Sequence, residues 1–580
     1  MTHRLTLRFG ALLATLSFAL APFASQTANA AVPAPVGATH GMVVSAHHLA
    51  SDAGVAVLKE GGNAVDAAIA VAYALAVTFP EAGNLGGGGF MTVRWHDGRE
   101  AFIDFRETAP GAATARLFQD ASGHVIPGLS TRGYLAVGVP GTVAGLEMAR
   151  ARFGTLPRAR LMREAIALAR DGFVLDQGDA DFLAEGAADF AKDPASAAIF
   201  LDHGAPWRPG ERLVQTDLAA TLQAIADDGA DAFYRGATMR RIVAASEAHG
   251  GILSPADFAA YRAVVRSPLD CDYRGFHIIS APPPSSGGVV VCEALAILQG
   301  YPLSQMGFHS AAEVHVLTEA LRRAFHDRNL DLGDPAFVHP DIAALISPAY
   351  AAHLRAGIDP DRATPSLSLG GVGASPEGQN TTHFSIVDKD GNAVSLTYTL
   401  NDWFGARVMA PGTGVLLNDE MDDFSSKPGV PNQFGLVEGT NNAIAPGKRP
   451  LSSMTPTIVT RNGALVLVVG TPGGSHIPTA VLQVLLNLID HGMTLTEAVD
   501  APRIHEQWLP DTLYYEPYAL SPDTMALLRA EGDRLTPMGY ENQVAAILVG
   551  APALGAKPVG AETLYGAIDP RLPTGSVAGW

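Results

Sequence analysis

Cysteine is nearly missing: Cys271 and Cys292 are the only two in 580 residues. Two thiols exclude a disulfide framework and a four-thiolate metal site, and leave room for one bridge between them. Charge is sparse at 17% of residues, and cations are the scarcer sign, with 39 Lys+Arg against 58 Asp+Glu and a formal net charge of −19. Such a balance repels phosphate backbones, which excludes nucleic acid as a partner. Beyond the N-terminus no apolar run is clean enough for a membrane span. The stretch 64–79 contains Asp66, and 477–489 contains Gln483 and Asn487, so both read as buried helices.

Common catalytic signatures are absent as well. There is no His-Glu-x-x-His, no Walker-type phosphate loop, no Gly-x-Ser-x-Gly elbow and no Gly-x-Gly-x-x-Gly. The run Gly86 to Gly89 is followed by Phe90 and a strand rather than by a Lys-Ser/Thr and a helix, so it marks close backbone packing. His47 and His48 are adjacent and do not share a helix face, which argues against a metal pair. What the chain does have is 47% hydrophobic residues and 61 glycines, a packed globular composition with many tight turns. At roughly 150 residues per domain the length allows about four folding units, or fewer in an interlocked α/β protein.

The N-terminus reads as an address. Arg4 and Arg8 precede an apolar run from Phe9 to Phe23, and Ala28-Asn29-Ala30 has small residues where a signal peptidase requires them. Residues 1–30 are therefore expected to be a signal peptide and the mature chain to be exported and soluble. Pro- and Gly-containing residues 32–37 form an extended lead-in. A helix is predicted over Ala46 to Glu60, stopped by Gly61-Gly62, and Asn63 caps a second over Ala64 to about Thr78. Phe90 to Trp95 and Ala101 to Phe105 are strands around the turn His96-Asp97-Gly98-Arg99. The middle of the chain, Leu161 to about Leu330, is Ala- and Leu-rich with helical spacing.

A boundary falls between Asp359 and Asn380, where Pro360, Pro365, Pro376, four glycines and three serines predict a flexible connector. Strands follow at once: Thr382 to Asp388 and Ala393 to Leu400 flank Lys389-Asp390-Gly391-Asn392, and Asp-Gly accepts the positive φ angles of a tight hairpin. A turn centred on Asp390-Gly391 sets Thr381 opposite Leu400 and Thr382 opposite Thr399, to within about one residue. Farther on, the apolar strand Leu465 to Val469 runs through Thr471-Pro472-Gly473-Gly474-Ser475 into a helix over Ile477 to Ile489. Free N–H groups at such a turn can serve an oxyanion or carboxylate, and a plain strand-to-helix connection has the same composition.

The run Thr381 to Gly405, TTHFSIVDKDGNAVSLTYTLNDWFG, resembles the signature of the γ-glutamyltranspeptidase (γ-glutamyltransferase, glutathione hydrolase) family of N-terminal-nucleophile hydrolases. Further segments agree in order: PEAGNLGGGGF from Pro80, DFRETAP from Asp104, LLNDEMDDF from Leu416, LSSMTPT from Leu451, GTPGG from Gly470 and APRIHEQWL from Ala501. The resemblance spans nearly all of the mature chain. It implies an α+β fold, the αββα sandwich of two stacked sheets flanked by helices. It also implies that the Asn380-Thr381 bond is cut by the chain itself, giving a large subunit of residues 31–380 and a small catalytic subunit of residues 381–580 that form one interlocked heterodimer. The chemistry is consistent: a threonine hydroxyl is a weak nucleophile, and an α-amine with pKa near ~8 on the same residue can act as its base.

By the same resemblance Thr381 is the nucleophile and Thr399 supports it. Arg106, with Ser452 and Ser453, is expected to hold a substrate α-carboxylate, and Asn401, Glu420 and Asp423 an α-ammonium group. Position 420 is glutamine in some bacterial relatives. Gly473 and Gly474 match the oxyanion donors, and residues 427–442 match a lid loop with Phe434 as its aromatic gate. The expected substrates are glutathione and other γ-glutamyl compounds, with water or amino-acid and dipeptide amines as acceptors, no metal or organic cofactor, and a bacterial periplasmic location. The alternatives are a related cephalosporin or glutaryl acylase, which needs no α-ammonium site, and a non-catalytic exported amino-acid-binding protein.

Overall fold

The computed structural model describes residues 33–370, 381–540, 542–554 and 563–580. Every residue of the strands Thr382–Val387 and Ala393–Thr399 is buried, because the hairpin is the centre of a sheet packed on both faces. That sheet has seven strands in the order Ser576–Gly579, Met42–Ser45, Thr382–Val387, Ala393–Thr399, Gly88–Arg94, Glu100–Asp104, Val264–Arg266. A second seven-stranded sheet runs Val36–Ala38, Leu564–Ile568, Ala545–Val549, Ala464–Gly470, Thr457–Arg461, Phe276–Ser280, Leu269–Tyr273. All neighbours within both sheets are antiparallel. Each sheet combines strands from both sides of the Asn380-Thr381 bond.

Side-chain alternation sorts residues into three apolar layers. Met42, Val44, Val387 and Ala393 of the first sheet meet Ile279, Ile458, Val468, Ala545 and Ile547 of the second between the sheets. Val43, Val93, Ile103, Ile386 and Leu396 point the other way, into helices His48–Lys59 and Ala64–Thr78. Val459, Leu467, Val469 and Leu548 likewise face Gly287–Leu298, Ala311–Asp331 and Ile477–Ile489. The result is the αββα sandwich. Small polar groups tie the two sheets where apolar packing gives way: Ser395 Oγ donates to Val469 O at 3.1 Å and Ser385 Oγ to Ala545 O at 3.0 Å.

Local signals act as expected at the helix starts. Asn63 and Asp66 form a reciprocal capping box on Ala64–Thr78, and Ala64 N also donates to Asp388 Oδ2 at 2.9 Å, fastening the hairpin turn to that helix. The turn itself differs from the expectation. Asp388 Oδ1 accepts from both Asp390 N (2.9 Å) and Asn392 N (3.0 Å), so the loop holds five residues, 388–392, between the pair Val387↔Ala393. The register therefore shifts by one: Thr382 faces Tyr398, and Thr399 is the residue opposite Thr381.

Two other expectations are corrected. The middle of the chain is not purely helical, since Val264–Arg266, Leu269–Tyr273 and Phe276–Ser280 are sheet strands. On the edge strand, Leu269, Cys271 and Tyr273 alternate with outward Asp270 and Asp272, a period-two pattern within an otherwise helix-rich stretch. Cys271 on that strand is disulfide-bonded to Cys292 on Gly287–Leu298, with Cα atoms 5.9 Å apart. The connector is not free throughout. Thr364 N donates to Glu319 Oε1 (2.8 Å), Ser366 Oγ to Asp511 Oδ1 (2.9 Å) and Trp508 Nε1 to Ser366 O (3.0 Å), which fixes residues 364–366 to the body. Residues 371–380, including Asn380, and the expected signal peptide at 1–30 lie outside the described residues. Among the described residues no helix is long and apolar enough to cross a membrane.

Candidate active site

Glycine packing brings the two threonines and the acidic loop together. A Cβ on Gly87 would lie 1.9 Å from Thr399 O, and one on Gly86 would lie 2.1 Å from Leu416 O. Only glycine lets these backbones approach so closely. Asn84, at the start of the run, accepts from Gly87 N (2.9 Å) and donates Nδ2 to Thr399 O (2.9 Å). Asn418 braces the acidic loop in the same manner. Its Nδ2 donates to Gly86 O (2.7 Å) and Gly138 O (2.9 Å), while Oδ1 accepts from Gly138 N (2.9 Å) and Glu420 N (3.0 Å). This fixes the start of the short helical turn Glu420–Asp423.

Into the same pocket project Thr381, Thr399, Arg106, Asn401, Glu420, Asp423, Phe434, Ser452, Ser453 and Gly474, around a cavity of about 20 Å³. Thr381 and Thr399 are each 3% exposed. Thr399 Oγ1 accepts from Asn401 N at 2.9 Å, and Asn401 takes the left-handed φ of 84° that asparagine tolerates best among non-glycine residues. Its Nδ2 donates to Asp419 O (3.2 Å), which leaves the amide oxygen as its acceptor.

Arg106 is fully buried and donates Nη1 to Glu420 and Nη2 to Asp423, with Nε to Pro450 O at 3.2 Å. Its backbone is held by Tyr261 Oη and Arg449 Nη1, both at 2.9 Å from Arg106 O. Glu107 Oε2 lies 3.7 Å from the same guanidinium. Burial works against the Arg106 charge, but Glu420, Asp423 and Glu107 outweigh it and hold the guanidinium ionised. Three carboxylates face one cation, so burial with mutual repulsion drives the carboxylates up. Glu420 is pushed up to about 7 by burial, against the pull of Arg106, and Asp423 and Glu107 are raised for the same reason.

The serine pair is held in donor orientation. Ser452 Oγ accepts from Met454 N (3.1 Å), and Ser453 Oγ accepts from Arg328 Nη2 (3.5 Å). A hydroxyl that accepts from an N–H keeps its own proton to give. On the opposite side, Gly473 (φ 130°) and Gly474 (φ 54°) make the turn that opens Ile477–Ile489. Gly474 lines the cavity and Gly473 stands one residue behind it. The loop 427–442 contributes Phe434 and Leu436 to the wall. Gln433 N bonds to Asp422 Oδ2 (2.9 Å) and Gln507 Nε2 to Phe434 O (3.0 Å).

Thus Thr381, Thr399, Arg106, Asn401, Glu420, Asp423, Ser452, Ser453, Gly474 and Phe434 converge, while Asn380 lies outside the described residues. Sequence reasoning missed Arg328, Asn84 and Asn418. Asn84 and Asn418 sit inside segments already singled out; Asn84 has the signal of an amide just before a glycine run, and Asn418, between Leu417 and Asp419, has none. Arg328 comes from the helix Ala311–Asp331, where its signal is a charge at a position that spacing would bury.

The chain is similar to known proteins along nearly its whole length. Residues 50–579 match the family model described as Gamma-glutamyltranspeptidase. The chain is 58% identical over 553 residues to a glutathione hydrolase proenzyme of Pseudomonas sp. (strain A14), covering 95% of this chain and 96% of that one. It is 47% identical to the glutathione hydrolase proenzyme of Escherichia coli (strain K12), over 94% of this chain and 93% of the other. Among solved structures, a cephalosporin acylase from Bacillus halodurans superposes with a TM-score of 0.80 at 28% identity, covering 96% and 98% of the two chains. With the family model matched across nearly the whole described fold, the chain belongs to the γ-glutamyltranspeptidase family.

Proposed function

We propose that this protein is a self-processing γ-glutamyltransferase and glutathione hydrolase. The observation that carries the reading is one pocket in which Thr381 shares walls with a buried cation, buried acids and a pair of donor-oriented serines. An amino-acid head group brings one negative and one positive charge. Its α-carboxylate would take the donors of Arg106, Ser452 and Ser453, and its α-ammonium the oxygens of Asn401, Glu420 and Asp423, so that the Arg106 pairing with the acids is exchanged for the ligand's own charges. The chain length of a γ-glutamyl group then carries its γ-carbonyl toward Thr381.

The reaction follows from the groups present. In the precursor the Thr381 hydroxyl attacks the Asn380 carbonyl, the N-to-O shift breaks the amide C–N bond to give an ester and a free Thr381 α-amine, and water hydrolyses the ester to the Asn380 carboxylate and the Thr381 hydroxyl. In the mature enzyme that amine accepts the hydroxyl proton as Oγ1 attacks the γ-carbonyl. N–H groups of Gly473 and Gly474 would stabilise the oxyanion, and Thr399 would orient the hydroxyl. The C–N bond breaks, cysteinylglycine leaves with the proton, and a γ-glutamyl ester remains on Thr381. Water returns glutamate, whereas an amino-acid or dipeptide amine gives a new γ-glutamyl amide. Phe434 and its loop would limit water entry during the ester's lifetime. We read the product as a heterodimer of residues 31–380 and 381–580, exported to the periplasm.

The test compares a γ-glutamyl anilide with its glutaryl analogue, which lacks only the α-amine. A site built to pair that group should favour the γ-glutamyl compound by at least about 100-fold in kcat/KM. Faster turnover of the glutaryl compound would assign the protein to the acylase branch.

A further inference from the structure

Arg328 is the second guanidinium of the pocket wall and is 1% exposed. It reaches the site from the long helix Ala311–Asp331, outside every segment that carries the substrate-reading residues. Its planar fork is divided among four partners. Nε donates to Ser286 Oγ at 3.2 Å, and Ser286 in turn gives both its N–H and its Oγ–H to Ser452 O, each at 2.7 Å. Nη2 donates to Ser453 Oγ at 3.5 Å. Nη1 donates to Glu438, in the loop 427–442, and to Asn329 Oδ1 at 2.8 Å.

The network continues to the acidic side. Asn442 Nδ2 donates to Glu438 Oε2 (2.5 Å) and to Asp423 O (2.6 Å), while Asn442 Oδ1 accepts from Leu451 N (3.0 Å), next to Ser452. One side chain thus links the backbone of the first serine, the hydroxyl of the second, and the base of the lid. Arginine is a donor only. Ser453 must therefore accept from it and present its own proton elsewhere, the orientation that a carboxylate requires and an ammonium rejects.

We infer that Arg328 is a positioning residue for carboxylate recognition: through Ser286 it fixes the backbone of Ser452, and directly it holds the Ser453 hydroxyl as a donor, so that the pocket selects substrates bearing an α-carboxylate. The inference rests on the γ-glutamyl reading proposed above and deepens it. Arg106 meets the charge of the carboxylate, and Arg328 sets the position of Ser452 and the direction of the Ser453 hydroxyl beside it. A lysine retains the charge near Glu438, but a single ammonium lacks the spread fork that reaches Ser286 and Ser453 from different nitrogens.

The experiment measures kcat and KM of the processed wild type, Arg328→Gln, Arg328→Lys and Ser453→Ala with two anilides, γ-glutamyl and 4-aminobutyryl; the second lacks only the α-carboxylate. In wild type the ratio of kcat/KM values should strongly favour the γ-glutamyl compound. Arg328→Gln should raise the γ-glutamyl KM by about 10- to 100-fold with kcat within about 3-fold, and leave the 4-aminobutyryl kcat/KM within about 2-fold, consistent with the loss of charge-assisted hydrogen bonding. Ser453→Ala should show the same selectivity of effect. If Arg328→Gln does not fold, Arg328→Lys decides, with an expected fall in the ratio of at least about 5-fold. An equal loss on both substrates, or no change in the ratio, would overturn the role of Arg328 while leaving the γ-glutamyl reading intact. A wild type that did not prefer the γ-glutamyl compound would overturn both.

Discussion

Arg106 donates to Glu420 inside a pocket where both side chains are almost wholly removed from water. Burial, with the neighbouring Asp423 adding to it and Arg106 opposing it, pushes Glu420 up to about 7, above the usual carboxylate range. Its neutral form is the one the fold favours, so this contribution to stability is present below the ordinary carboxylate pKa and is lost as pH rises through about 7. Substrate binding runs the other way, since an ammonium group needs the ionised form. The expected result is a kcat/KM for γ-glutamyl anilide that rises with an apparent pKa near 7. Glu420→Gln should remove that limb; an unchanged limb would assign the titration to another group.

Removing the cation should cost more than binding. In Arg106→Gln the acids Glu420 and Asp423 lose their buried partner, a change expected to cost about 3–5 kcal/mol of stability. Arg106→Lys keeps the charge without the bidentate fork and should fold, self-cleave and turn over with a raised KM. Thermal unfolding and steady-state kinetics on both variants separate the two effects. If Arg106→Lys were uncut, Arg106 would belong to folding rather than to substrate binding.

Gly87 offers a steric test of how Thr399 is placed. A Cβ there would stand 1.9 Å from Thr399 O and 2.8 Å from Asn84 Oδ1, so Gly87→Ala must displace the strand end that carries Thr399. The expected outcome is a loss of about 1–3 kcal/mol, typical of overpacking, together with slowed self-cleavage. Wild-type cleavage rates in this variant would show that Thr399 needs no such fixing.

Much of this arrangement was legible in the sequence because it is local. The Asn63 cap, the helix Ala64–Thr78, the hairpin around Asp390-Gly391 and the helix Ile477–Ile489 each follow from a short pattern of caps, turns and periodicity. The register of the hairpin missed by one because Asp388 folds its own side chain over the turn, a choice that composition does not reveal. The fixed part of the connector depends on Glu319, Asp511 and Trp508, which lie 45 to 145 residues away in the chain. The same distance hides Arg328, whose pocket partners Ser453 and Glu438 are 125 and 110 residues downstream. Residue types announced the chemistry, and long-range packing decided which of them share a wall.

The most direct measurement is the intact mass, under denaturing conditions, of purified wild-type protein beside Thr381→Ala and Thr381→Ser. The account predicts two wild-type species matching residues 31–380 and 381–580, one uncut inactive chain in Thr381→Ala, and partial cleavage with residual activity in Thr381→Ser. A wild-type chain that stayed whole on prolonged incubation, or a Thr381→Ala chain cut at the same bond, would contradict it.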